Sequence, residues 1–323
     1  MKYNRIGKTK LIVSELGLGT AQIGGPSIIK GLPLGAKPIS DKDAYEILSL
    51  AYNAGINFYD SSDKYGDGLA EKRLGDYFKG SRDIVIATKC GFDEKGERRF
   101  DRQYIIKTVE GSLRRLRKEQ IELLQFSKPT LSNIQNDALI ETVLLLKKQG
   151  KIAYAGISVG NIEDGFSFIK QEAWDSFQII YNLLTLDFKG LVSHAFKMNR
   201  GIIIRSPLSS GMLTGRFNES TKFSDSDDRS VYMKGRLFQT RCNMVKTIKE
   251  KFKLTNNELS LFSLNFLLSD PQVTTIIPGA TSPAQIKNNI KVLNMPRFSS
   301  DQWNDIFKFC QDLALRNPLN ITY

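Results

Sequence analysis

Eight short apolar runs, each followed by a segment of helix length, constrain this 323-residue chain more than any other feature. The runs are 16–19, 57–60, 84–88, 121–126, 153–158, 176–180, 201–204 and 275–278. Helical patterns lie between them, for example over 43–53 and 137–149. Strands that alternate with helices imply βαβ units and a parallel sheet. Eight such units imply an α/β chain closed into a (β/α)8 TIM barrel. Residues 1–13 carry Gly7-Lys8 between two short extended runs. They read as a β-hairpin that closes the bottom of the barrel. Residues 218–228, rich in Ser, Asp and Asn, read as a surface loop after the seventh strand, and 299–315 as an amphipathic final helix. No internal repeat or linker composition interrupts the pattern, so the expectation is one barrel domain over 1–323.

Composition excludes several classes. The net charge is +12, and the densest basic run is Arg114-Arg115-Leu116-Arg117-Lys118. Leu113 and Leu116 keep helical spacing inside it, so it reads as the exposed face of a barrel helix. No stacking set of aromatics or zinc-finger spacing accompanies it, which argues against a nucleic-acid partner. A basic mouth would still favour a phosphorylated cofactor or an anionic substrate. Cys90, Cys242 and Cys310 are odd in number and far apart, as in a reduced, cytoplasmic protein. His194 is the only histidine and no CxxC pair exists, so no metal site is expected. No apolar run approaches the roughly 20 residues of a membrane helix, and the opening residues lack a signal-peptide core. Gly7-Lys8-Thr9 lacks the earlier glycine of a P-loop, and Gly17-Leu18-Gly19 lacks the third glycine of a dinucleotide fingerprint.

The chemistry concentrates at the C-terminal ends of the strands, where barrel enzymes place their active sites. Asp60, Lys89, Ser127, Ser158, Gln178, Arg205 and Gly279 all fall there, and Tyr65 lies in the loop after the second strand. A phenol with an unperturbed pKa of about 10 is a weak proton donor at neutral pH. A nearby ammonium stabilises the phenolate, and a carboxylate can hold the ammonium in place. Asp60, Tyr65 and Lys89 therefore read as a proton-donating system. Any one of these polar residues could simply cap a helix. The joint pattern is harder to dismiss, because it follows the period of the barrel.

The wording of these segments resembles the aldo-keto reductase superfamily over nearly the whole chain. The residues are Leu16 to Gly25, Asn57 to Gly66, Ala87-Thr88-Lys89, Leu123 to Pro129, Gly150-Lys151-Ile152 with Gly156-Ile157-Ser158, Gln178 to Asn182, Ser206 to Arg216, and Ile277 to Gln285. The resemblance implies hydride transfer between a nicotinamide and the carbonyl or alcohol of a small molecule, such as a sugar or an anionic substrate. Tyr65 would be the acid, Lys89 its modulator and Asp60 the partner of Lys89. Ser127 stands where the family carries a catalytic His. For the cofactor, the resemblance implies Gly19 and Thr20 at the first strand, and Ser158 and Gln178 at the carboxamide. Arg205 would act at the nicotinamide or at an anionic substrate, and Ser206, Pro207, Leu208, Ser209, Gly211, Leu213, Gly215 and Arg216 would lie along the pyrophosphate. Gly279, Thr281, Gln285, Asn288 and Asn289 would take the adenosine end, with Lys287 as a partner for a 2′-phosphate. NADP(H) is favoured over NAD(H).

The departures from the family pattern are specific. Val159 replaces an Asn that often follows the strand-five Ser. Arg205 replaces an aromatic residue that often stacks on the nicotinamide, and a guanidinium can stack too or bind a carboxylate or phosphate. Gly279 and Gln285 replace basic residues, which makes the NADP(H) preference less strict. Losing one oriented donor, as at Ser127, costs on the order of 10²–10³ in rate. Two further readings follow: a cofactor-binding protein with little or no turnover, and hydride chemistry on another substrate, such as a sugar hydroxyl or an activated alkene. The sequence leaves the substrate, the direction of the reaction and the oligomeric state open.

Overall fold

The computed structural model describes residues 1–29, 32–34, 38–134, 138–225 and 227–317. Eight parallel strands form the barrel: β1 (Leu18–Gly19), β2 (Phe58–Asp60), β3 (Val85–Cys90), β4 (Ile121–Ser127), β5 (Ile152–Ser158), β6 (Ser176–Ile180), β7 (Gly201–Arg205) and β8 (Thr275–Ile276). Each pairs with its neighbour in sequence order. The ring closes through parallel bridges from Leu16 to Ile276 and from Gly19 to Gly279. β8 is shorter than the sequence run suggests, because Pro278 has no N–H to continue the ladder. Its carbonyl still accepts from the Gly19 amide, 3.2 Å away. A second antiparallel pair, Ser27–Ile29 with Leu32–Leu34, lies in the loop after β1. It is too short to stand out as an alternating pattern.

Helices follow the strands. After a single turn at Ala21–Gly24, the first long one, Asp41–Asn53, is capped by Ser40, whose hydroxyl accepts from the Asp43 amide. The last, Ser300–Arg316, begins with a capping box between Ser299 and Gln302. The expected helix over 137–149 is observed as Ala138–Lys148; residue 137 lies outside the described residues.

The expected hairpin is present, with Tyr3–Arg5 antiparallel to Ile12–Ser14. Ile6 and Val13 are fully buried in one apolar cluster with Phe58, Val85, Ala87, Leu123, Ile203 and Ile277. These barrel residues share the inward parity of their strands. The hairpin thus fills the lower barrel from its N-terminal end. Asn57 ties it down, accepting from the Ser14 amide at 2.7 Å and donating to the Ile12 carbonyl at 3.0 Å. A side chain at Gly201 would meet Ile6 Cγ2 at 2.2 Å, so the plug requires glycine at the foot of β7.

Two surface expectations change in detail. The basic run is an outer helix face, but three of its four charges are paired: Arg115 with the buried Glu71, Arg117 with Asp76 and Lys118 with Glu122. The expected surface loop over 218–228 is partly inside. Asp227 is buried, and Arg229 grips both its oxygens, at 2.8 and 2.6 Å. An ion pair with two hydrogen bonds offsets the cost of burying that carboxylate.

Candidate active site

The inward parity of β2 to β7 places Asp60, Lys89, Gln125, Ser127, Ser158, Gln178 and Arg205 above the apolar cluster, at the C-terminal mouth. Asp60 is the hub. Lys89 Nζ donates to its Oδ2 at 2.5 Å and to the Ser61 carbonyl at 2.7 Å. Gln125 and Gln178 both donate to its Oδ1, at 2.8 and 2.6 Å. Gln178 also donates to Gln125 Oε1 at 3.1 Å. All four side chains are buried. A buried charge is tolerated only when paired and hydrogen-bonded, and this carboxylate is both.

Tyr65 completes the group. Lys89 Nζ lies 5.0 Å from the centre of its ring. Burial alone would pull the pKa of Lys89 down. The charges of Asp60 and Tyr65, with hydrogen bonds to both, outweigh it, and the net direction is up. The ammonium is therefore charged at neutral pH and aimed between a carboxylate and a phenol.

The loop that carries Tyr65 is fixed by backbone contact. Gly66 turns with φ +59°, and a Cβ there would lie 1.9 Å from the Gly24 carbonyl oxygen. Only glycine lets the loop after β2 lie against the loop after β1. Ser27 Oγ donates to the Lys64 carbonyl at 3.0 Å, which ties the two loops again. Asp63, buried in the same loop, has its carboxyl pushed up to about 6. Burial is the main cause and Glu71 adds to it, while Lys64, Ser62 and Arg115 oppose.

Ser127 ends β4 opposite Ser158 on β5 and is half-buried. It stands at the same mouth as Tyr65 and Lys89. Ser158 Oγ lies 3.5 Å from Gln178 Oε1, a loose contact beside the tight Asp60 network. Arg205 ends β7, and its guanidinium reaches past β6 to the Val159 carbonyl on the β5 side, at 3.2 Å.

The other expected cofactor residues fall into three groups. Thr20 is fully buried, and its amide and hydroxyl both donate to the Asp60 carbonyl at 2.9 Å. It fixes the hub, with Gly19 bridging to Gly279 beside it. The run after β7 turns sharply: Ser206, Ser209, Ser210, Gly211 and Gly215 all have positive φ. Pro207, Ser209 and Leu213 are buried, Leu208 is half-buried and Arg216 is exposed. At the adenosine end, Gln285 donates to Thr281 Oγ1 at 2.8 Å and accepts from the Thr281 amide at 3.0 Å. Asn288 donates to Ser260, Asn289 is buried, and exposed Lys287 sits 3.9 Å from Glu46.

Gln125 has no assigned role in the sequence reading, although it shares the hub. A signal for it existed. It is an amide on the inward parity of an apolar strand, and a buried amide demands a partner.

Fold and site together are those of a barrel oxidoreductase. Residues 15–310 match the aldo/keto reductase family model, and the chain belongs to that family. It is 28% identical to the uncharacterized oxidoreductase YqkF of Bacillus subtilis, over 94% of each chain. It is 29% identical to the aldo-keto reductase YhdN of the same organism, over 94% of this chain and 92% of that protein. Among solved structures, the holo form of aldo-keto reductase AKR11C1 from Bacillus halodurans superposes with a TM-score of 0.78 at 26% identity, covering 97% of this chain and 96% of that one. The glycerol dehydrogenase AKR11B4 from Gluconobacter oxydans gives 0.78 at 26%, covering 99% and 98%.

Proposed function

We propose that the protein is an NADP(H)-dependent oxidoreductase acting on the carbonyl or alcohol of a small molecule. The observation that carries this is the buried Lys89–Asp60 pair set against the Tyr65 ring at the open end of the barrel. A pure binding protein has no need of a phenol set against a buried ammonium. Tyr65 is the proton donor in this reading, and the Lys89 ammonium lies against its ring. Asp60 holds the ammonium, and the two glutamines hold Asp60.

The residues present suit a nicotinamide dinucleotide. Ser158 Oγ and Gln178 Oε1 share only their loose mutual contact, so both can serve a carboxamide. The sharply turned run from Ser206 to Gly215 is the segment assigned to the pyrophosphate, although the amides of Ser209, Gly211, Leu213 and Gly215 already donate within it. A bound nicotinamide would supply the hydride. Lys287 is the cation assigned to a 2′-phosphate, its link to Glu46 being long and exposed. Ser127 keeps one hydroxyl donor at the position of the family's His, with a shorter reach. Carbonyl polarisation is therefore weaker and proton transfer is retained.

Titration calorimetry with NADPH and NADH, followed by hydride transfer to simple aldehydes, tests the reading. NADPH binds more tightly, turnover is slow, and Tyr65→Phe lowers it by about 10²–10⁴. Ser127→His raises it by on the order of 10²–10³. Equal affinities would remove the 2′-phosphate assignment. Tight cofactor binding with no transfer, unaffected by either substitution, would make the protein a binder.

A further inference from the structure

Gln125 takes part in no proton transfer and in none of the contacts assigned to the cofactor, yet it is fully buried beside both. It lies opposite Lys89 on β3 and Gly156 on β5. Gly156 has no side chain, so β5 puts nothing between Gln125 and β6 at this level. Gln178 Nε2, on β6, donates to Gln125 Oε1 at 3.1 Å and to Asp60 Oδ1 at 2.6 Å. Gln125 Nε2 donates to the same Asp60 oxygen at 2.8 Å. A carboxylate only accepts, so each glutamine must turn its NH2 toward Asp60. An amide nitrogen carries two hydrogens, and Gln178 uses one on Asp60 and the other on Gln125. Its carbonyl is the group left for the mouth. That oxygen faces the Ser158 hydroxyl at 3.5 Å, longer than an ordinary O–H···O bond. A reversed Gln178 would set its oxygen against two acceptors, Asp60 Oδ1 and Gln125 Oε1, and would leave a buried carboxylate short of a donor.

We propose that Gln125 is a positioning residue for the cofactor. It holds the Gln178 amide with its carbonyl toward the mouth, so that this position accepts from the NH2 of a nicotinamide carboxamide and does not donate. This rests on the nicotinamide reading above and adds a residue to it. Asp60 by itself fixes one N–H of Gln178, and an amide held by one bond can still swing about it. Gln125 takes the second N–H and stops the swing. The Gln178 carbonyl carries this task because Val159, which follows Ser158, has no side-chain acceptor. The network also joins the carboxamide position to the proton-donating end, since the other oxygen of Asp60 takes Lys89 Nζ.

The test compares two cofactors that differ in one group: NADP+ and its 3-acetylpyridine analogue, in which a methyl replaces the NH2. Each is titrated by calorimetry into the purified full chain. The ratio of the two dissociation constants is taken within one variant, so a loss of folded protein affects both alike. One hydrogen bond corresponds to tighter binding of NADP+ by the parent of about 2- to 10-fold. In Gln125→Met that preference is lost. Lys89 and Gln178 still serve Asp60 in this variant, so the hub keeps its ion pair and one amide. Gln125→Glu is the rescue. Burial beside Asp60 favours the protonated form of the new carboxyl. Its O–H donates to Asp60 and its C=O accepts from Gln178, so the preference returns at about pH 6. A merely structural role would weaken both cofactors equally and leave the ratio unchanged. Equal binding of the two cofactors by the parent, or a ratio unmoved in Gln125→Met, overturns the proposal while the nicotinamide reading stands. A preference lost in Gln125→Met and not recovered in Gln125→Glu overturns the acceptor role of Gln125. If the parent binds neither cofactor, the nicotinamide reading fails and this proposal fails with it.

Discussion

The two ends of the barrel solve opposite problems. At the N-terminal end, Ile6 and Val13 of the hairpin meet Phe58 and Val85 in a dry cluster, and Asn57 satisfies the hairpin backbone. At the C-terminal end the same inward-facing rows carry a carboxylate, an ammonium and two amides, all buried. Strain follows the same division. Asp67, Lys128, Ser206, Ser209 and Ser210 are left-handed non-glycine residues in loops after β2, β4 and β7, whereas Arg117, Asn199 and Lys253 follow helix ends. Costs of this kind persist where surrounding structure over-determines them, and they collect at functional sites. The bottom is built for stability, and the mouth gives some of it up for chemistry.

Three changes break or sharpen this contrast. The largest effect belongs to Lys89→Met. It leaves Asp60 charged and buried without its ion partner, at a cost of about 3–5 kcal/mol in unfolding free energy. Hydride transfer is lost with it. Chemical denaturation of the variant beside the parent measures the loss. A variant of parental stability would mean that the two glutamines alone can hold the carboxylate.

Asp63→Asn acts through pH. The Asp63 carboxyl is raised from 3.8 to about 6 in the folded chain. The folded state therefore binds the proton more tightly than the unfolded state. The stability this contributes is fully present below pH 3.8 and is lost as pH rises through about 6. Burial sets the shift, Lys64, Ser62 and Arg115 oppose it, and Glu71 adds to it. Asparagine cannot ionise, so the variant should gain on the parent as pH rises across that window and hold the gain at pH 7. Thermal melts at pH 4 and pH 7 decide it; a constant difference between the two proteins would rule out titration of Asp63.

The smallest effect is at the bottom. Ile6→Val removes one methylene from a packed plug and should cost about 0.5–1.5 kcal/mol. Cofactor affinity and turnover should not change, since the plug touches none of the mouth residues. A loss of turnover would show that the plug sets the height of the inward rows above it.

Much of this was legible in the residues. The strand–helix alternation gave the barrel because both periods are local. Asp60, Tyr65 and Lys89 stood out because their spacing is short: one loop and one βαβ unit separate them. The hairpin was legible from Gly7-Lys8 between two extended runs. Harder to see were residues whose partners lie far along the chain. Gln125 and Gln178 reach Asp60 across 65 and 118 positions, and Arg205 reaches Val159 across 46.

By itself, then, the sequence determined which strands form, which residues face inward, and that an acid, a phenol and an ammonium meet at one end. The tertiary structure alone decided the rest. It made Asp60 a hub with two glutamines, brought Arg205 to the Val159 carbonyl, and buried Asp227 within a loop of surface composition. The physical reason is one of range. Periodicity and turn chemistry act over a few residues, but closing the barrel brings strand ends together whatever their separation in the chain. Only that closure fixes which charges must share a dry space.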